Sequence, residues 1–119
     1  MITKLKPGQI FCFGSNLAGK HIGGSAKQAK ESFGAIEGQG IGLQGQSYAI
    51  ATLDENFNKV TLEFIQQQLY SLSEFAKENP DKEFLLIPIG TGIAGFSIKE
   101  IRELLPKKSL AKNIKLINW

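Results

Sequence analysis

Phe84-Leu85-Leu86-Ile87-Pro88-Ile89-Gly90-Thr91-Gly92-Ile93-Ala94-Gly95-Phe96-Ser97 decides how this chain is read. Phe84 to Ile89 is a continuous apolar run flanked by turn signals, which suits a central parallel strand covered on both faces. The run ends in a loop with three glycines. Ser97-Ile98-Lys99-Glu100 then has the pattern of a capping box and predicts a helix start. A strand that passes through a glycine-rich loop into a helix N-terminus is a layout that holds phosphate. Glycine lets the backbone approach a ligand closely, while exposed N–H groups and the helix dipole attract negative charge.

A second loop of this kind lies near the N-terminus, at Gly14-Ser15-Asn16-Leu17-Ala18-Gly19-Lys20-His21-Ile22-Gly23-Gly24-Ser25. It follows the short apolar strand Ile10 to Phe13 and precedes a helix over Ser25 to Phe33, where Ala26, Ala29 and Phe33 make a small-residue face. Gly34 to Glu37 reads as a brief extended piece. Gly38 to Gln46 is too rich in glycine for a regular element, and Ser47 to Thr52 is the next strand. Leu62, Ile65, Leu69, Leu72 and Phe75 recur at helical spacing, with Thr61 as N-cap and Asn79-Pro80-Asp81 as the stop. Ile98, Ile101 and Leu105 form the inward stripe of the last helix, which Pro106 ends, and Ile114 to Trp119 is a final strand. Strands alternating with helices predict an α/β fold, three-layer α/β/α, with a mixed and mostly parallel sheet of about five strands. In such sheets ligands sit at the carboxyl ends of strands, so both glycine loops belong to one rim.

The chain has 119 residues and 42% hydrophobic content, enough for a single domain over residues 1–119 with a core that needs no staples. No apolar run approaches the roughly 20 residues that span a bilayer. The opening segment lacks the apolar stretch of a secretory signal, and a cytoplasmic location is expected. The single cysteine, Cys12, lies inside an apolar strand and reads as a packing thiol. No metal-ligand spacing and no Ser/His/Asp or Cys/His arrangement occurs, so no metal or cofactor is expected. The net charge of +3 is modest, with Lys107, Lys108, Lys112 and Lys115 crowding the C-terminal end. These lysines suit a solvated face that discourages edge pairing. A nucleic-acid patch is the sharper alternative, but no aromatic residue or arginine is interleaved with them.

The candidate ligand-binding residues are Gly14, Ser15, Asn16, Leu17, Gly23, Gly24 and Ser25 in the first loop. In the second they are Gly90, Thr91, Gly92, Ile93, Ala94, Gly95 and Phe96. Two roles fit Asn16: a contact to ribose or phosphate, or side-chain hydrogen bonds that hold its own turn. His21, the only histidine, is either a loop residue or a catalytic one. Lys20 either meets solvent or supplies charge to a phosphate. Asp54 and Glu55 follow a strand end and suit a turn or a ribose contact. Thr91 offers a hydroxyl and an N–H together, and Phe96 suits either a sugar or the core. Gly90-x-Gly92-x-x-Gly95 matches the dinucleotide fingerprint only loosely, because no acid stands at the expected later strand end.

Taken together, the two loops resemble those of the macro domain family, modules that bind ADP-ribose. Gly90 to Phe96 is similar to the family's phosphate loop, and Pro88 holds the place of the proline that ends the preceding strand. Asn16 and the Gly23-Gly24-Ser25-Ala26 stretch resemble the family's other loop. Phe13 to Gly19, Gly38-Gln39-Gly40 and Leu43 to Ile50 resemble, more narrowly, a small group of bacterial and phage proteins of the same superfamily. The resemblance implies a macro-like fold that binds ADP-ribose or a related nucleotide diphosphate. The family's adenine-binding aspartate has no counterpart in Met1 to Gly8. The aspartates of its hydrolytic classes are replaced by Ser25 and Ala26 in one loop and by Ala94 in the other. Removal or processing of ADP-ribose, with Asn16 and His21 as candidate catalytic residues, is therefore the alternative reading. A single-stranded nucleic-acid module is the second alternative.

Overall fold

The computed structural model describes residues 2–119. Five strands form one sheet in the order β2-β3-β1-β4-β5. They are β1 (Gln9–Asn16), β2 (Gly42–Gln44), β3 (Ser47–Leu53), β4 (Glu83–Leu86) and β5 (Ile114–Leu116), with helices α1 (Gly24–Ser32), α2 (Leu62–Glu78) and α3 (Ile98–Arg102) between them. All neighbours are parallel except β2, which runs antiparallel to β3 at one edge. The expected α/β class and mixed, mostly parallel sheet are thus present.

Side chains alternate across a strand, so β1 sends Ile10 and Cys12 to one face and Phe11 and Phe13 to the other. Two separate buried clusters follow from that alternation. Phe11, Phe13, Ala49 and Phe33 pack with Ala26 and Ala29 of α1. Ile10, Cys12, Ile50 and Leu86 pack with Ile65, Leu69 and Leu72 of α2 and Ile101 of α3. This partition is consistent with three layers. Each fully buried aliphatic side chain on α2 contributes about 1.5–3 kcal/mol, which makes the α2 face the larger store of stability.

The predicted start signals act as caps. Thr61 Oγ1 accepts from the Phe64 N–H at 3.1 Å, and the Ser97–Glu100 capping box is complete. Glu100 therefore stays ionised below the usual carboxylate range, mainly because it accepts the Ser97 N–H. Trp119 closes a corner of the core, its indole N–H donating to the Leu86 carbonyl at 2.7 Å.

Several expectations change in detail: the last helix ends at Arg102 rather than at Pro106, and the last strand stops at Leu116 rather than Trp119. The strand expected over Phe84 to Ile89 stops at Leu86, because Pro88 has no N–H to donate. Residues 34–37 form no strand. The glycine-rich segment, expected to be irregular, contains the edge strand β2. Gln39 Nε2 donates to the carbonyls of Ile41, just before that short strand, and Leu43, within it, at 3.1 and 3.0 Å.

Candidate functional site

β1 and β4 are parallel neighbours, yet the chain leaves them in opposite directions. After β1 it runs to α1 on one face; after β4 it runs to α3 on the other. A crevice opens where two such connections diverge at the carboxyl ends of a sheet. There the structure has a cavity of about 800 Å³, and both glycine loops line it.

The loops touch. A Cβ added to Gly14 would lie 3.2 Å from the Gly90 nitrogen, and one on Gly23 would lie 3.6 Å from Cδ1 of Ile93. Gly14, Ser15 and Asn16 border the cavity from β1, and Gly23, Gly24 and Ser25 from the start of α1. Gly90, Thr91, Gly92, Ile93 and Ala94 border it from the second loop. Gly24 and Gly90 have φ of +55° and +73°, values in the left-handed region that favours glycine.

Within the second loop, Gly95 N–H donates to Gly92 O at 3.0 Å and Phe96 N–H to Gly90 O at 2.9 Å. The N–H groups of Thr91, Gly92, Ile93 and Ala94 donate to no acceptor among the described residues. At α1 the N-cap is Gly23, whose lack of a side chain leaves the first-turn N–H groups uncapped. Two sets of unpaired donors thus border one cavity, and Lys20 is the only charged side chain in its described wall. Among the described residues no carboxylate lines it. Backbone donors, one ammonium group and walls that are otherwise uncharged, apolar residues mixed with neutral polar ones such as Thr52, Gln28 and Asn118, suit an anion with an uncharged body.

Several side chains have structural roles. The Asn16 carboxamide donates to Lys20 O at 2.9 Å and accepts from Lys20 N–H at 3.0 Å, closing its own turn while bordering the cavity. Thr91 Oγ1 donates to Pro88 O at 2.8 Å and keeps a lone pair for a further donor. Ser15 Oγ donates to Gly40 O. Asp54 accepts from the N–H groups of Asn56 and Asn58, at 2.8 and 3.0 Å, so its carboxylate serves a turn.

Leu17, Gly95, Phe96 and His21 are not part of the cavity lining. Phe96 is buried against the α2-side core, with Lys59 Nζ 4.6 Å from its ring centre. His21 is 2% exposed, edge-on to Phe13. Its Nε2 lies 3.0 Å from Gln39 O and 3.2 Å from Gln44 Oε1. Both neighbours are acceptors, so the proton belongs on Nε2, and the buried Nδ1 has no partner among the described residues. This histidine ties the first loop to the glycine-rich segment. The Glu37 carboxylate assists, staying ionised below its usual range chiefly because it accepts the His21 N–H and also bonds Lys30.

Other wall residues carry no glycine-loop signal: Thr52, Phe57, Gln28 and, beyond β5, Ile117 and Asn118. Ile22, Ile93 and Phe57 are 71%, 86% and 45% exposed at the mouth, an apolar rim open to solvent. Single large apolar residues placed in three separate loops are the signal that marks this rim.

No protein-family model, curated protein or solved structure matches this chain.

Proposed function

We propose that the protein binds ADP-ribose or a related nucleotide diphosphate in the manner of a macro domain. The observation that carries this reading is the meeting of two glycine loops around one cavity, with unpaired backbone donors on both sides. The donors at Thr91–Ala94 and at the start of α1 are suited to the oxygens of a diphosphate. Lys20 adds a positive charge, and the exposed apolar rim suits the uncharged parts of a nucleotide. A cavity of about 800 Å³ is of a size that takes a ligand of this class.

The reading is of binding rather than turnover. No carboxylate lines the described wall, His21 lies outside it, and Asn16 holds its own turn. Hydrolysis would need a base from elsewhere to activate water.

Calorimetric titration with ADP-ribose, ADP and NAD tests the proposal. Saturable binding of one ligand per chain is expected. Ligand at about 100 times Kd would add ~2.7 kcal/mol of stability, raising Tm by roughly 10 °C in a domain of this size. No heat and no thermal shift with any of the three would overturn it. Product released from ADP-ribosylated substrates would replace binding with catalysis.

A further inference from the structure

The opposite rim of the sheet, where β1, β4 and β5 begin, carries a second depression of about 570 Å³. Four lysines converge on it from separate parts of the chain: Lys6 before β1, Lys82 before β4, and Lys112 and Lys115 around the start of β5. Among the described residues only two carboxylates, Asp81 and Glu83, share the lining. Asp81 pairs with Lys82 at 3.6 Å, and Glu83 accepts from Gln9 Nε2 at 2.8 Å. Lys6, Lys112 and Lys115 have no carboxylate partner among the described residues.

The floor is held by hydrogen bonds. Asn113 Nδ2 donates to the carbonyls of Ala76, Asn79 and Lys82 at 2.8, 3.1 and 3.0 Å, tying the segment before β5 to the end of α2. Gln9 accepts from the Lys6 N–H at 2.9 Å while donating to Glu83. The lysines therefore project from a fixed base.

We propose that this groove binds the phosphate backbone of nucleic acid without regard to base sequence. Among the described residues the lining contains no large apolar side chain, whereas a protein partner would need an apolar patch to desolvate. No aromatic residue is present to stack a base. Ammonium groups alone read charge, and a phosphate chain is the partner that offers charge at regular intervals. The site is separate from the nucleotide cavity, because the two occupy opposite ends of the strands.

Fluorescence anisotropy with labelled 20-nucleotide oligo-rU and oligo-rA tests it. Both strands should bind with similar affinity. With three unpaired lysines, log K should fall against log salt with a slope of about −2, or roughly 20-fold between 50 and 200 mM. The triple substitution Lys6→Gln, Lys112→Gln and Lys115→Gln should abolish binding with Tm unchanged, and saturating ADP-ribose should displace nothing. A flat salt response, undiminished binding by the triple variant, or displacement by ADP-ribose would overturn the proposal. Poly-glutamate binding as tightly as RNA, or a preference above about tenfold between rU and rA, would do so equally.

Discussion

Gly14 and Gly90 meet main chain to main chain: a Cβ on Gly14 would sit 3.2 Å from the nitrogen of Gly90. This approach joins the two loops where β1 and β4 end. Gly90 also has φ of +73°, and a Cβ there would lie 3.1 Å from both Phe96 and Thr52 side chains. Gly14→Val should therefore cost about 1–3 kcal/mol by overpacking, and Gly90→Ala a similar amount through its left-handed backbone. Both should weaken ADP-ribose binding at least about tenfold, since a 1.4 kcal/mol loss of donor alignment suffices. Gly92→Ala is the contrast, because its Cβ meets nothing within 4 Å. Its stability in urea should stay within about 0.5 kcal/mol of wild type.

Ile93 is 86% exposed at the tip of the second loop and borders the cavity. An exposed side chain with so little packing contributes little to the fold, so Ile93→Glu should leave Tm nearly unchanged. It would place a carboxylate beside a site built for anions. ADP-ribose affinity should fall about tenfold or more, with the effect shrinking at high salt as the repulsion is screened. Equal affinity in calorimetry would place the ligand's phosphates away from this loop.

Gln68 is 7% exposed on the inner face of α2. Its amide accepts from Ala51 N–H at 2.7 Å and donates to Ala51 O at 2.8 Å, serving both backbone groups of that β3 residue. Gln68→Leu keeps the size of the side chain but removes both partners. The expected loss is about 2–4 kcal/mol, from two buried backbone groups left unpaired. Denaturant unfolding would measure it, and a loss below about 1 kcal/mol would show that water or another group takes over.

The order of strands and helices was legible because its signals are local: periodicity over Leu62–Phe75, caps at Thr61 and Ser97, and the apolar run into Gly90. The rim location of both glycine loops followed from strand order. What escaped depends on contacts distant in sequence. The amide of Gln68 looks like any helix glutamine until β3 lies beside it. Asn16 suited two roles from sequence, and only the carboxamide's bonds to Lys20 show its structural one. His21 drew attention as the sole histidine, but its partners, Gln39 and Gln44, lie on a segment whose glycines concealed a strand.

Those glycines carry a prediction of their own. A Cβ on Gly40 would lie 2.2 Å from Asn16 O, and one on Gly19 would lie 2.2 Å from the carbonyl carbon of Gly38. The glycine-rich segment is therefore seated against the backbone of the first loop. Gly40→Ala and Gly19→Ala should each destabilise the fold by about 3 kcal/mol or more, near the upper end of overpacking costs. They should also loosen Lys20. Gly38→Ala meets open space but has φ of +93°, so it should cost about 1–2 kcal/mol from backbone strain alone. Gly19 combines both effects, since its φ is +67°, so urea midpoints for Gly40→Ala and Gly38→Ala separate contact from conformation, and equal losses in those two would contradict the close approach.

Acid should loosen this junction, through Glu37, and the start of α3, through Glu100. Glu37 holds the His21 N–H and the Lys30 ammonium, at 3.3 and 3.2 Å, and Glu100 holds the Ser97 N–H at 2.9 Å. Both carboxyls are shifted down in the folded state from the ordinary value of 4.5, chiefly by those backbone N–H donors. A lowered folded value means the charged form favours folding. The contribution is therefore present above the ordinary carboxylate range and disappears as pH falls through the lower folded values. Both groups are exposed, so the effect is modest and salt-sensitive. Thermal melts between about pH 5 and pH 3 should show wild-type Tm falling more steeply than that of a Glu37→Gln/Glu100→Gln variant. The Glu100→Gln change retains an acceptor oxygen for the Ser97 N–H, so the α3 cap should persist while its pH dependence goes. Parallel acid limbs in the two proteins would mean that other carboxylates govern acid unfolding.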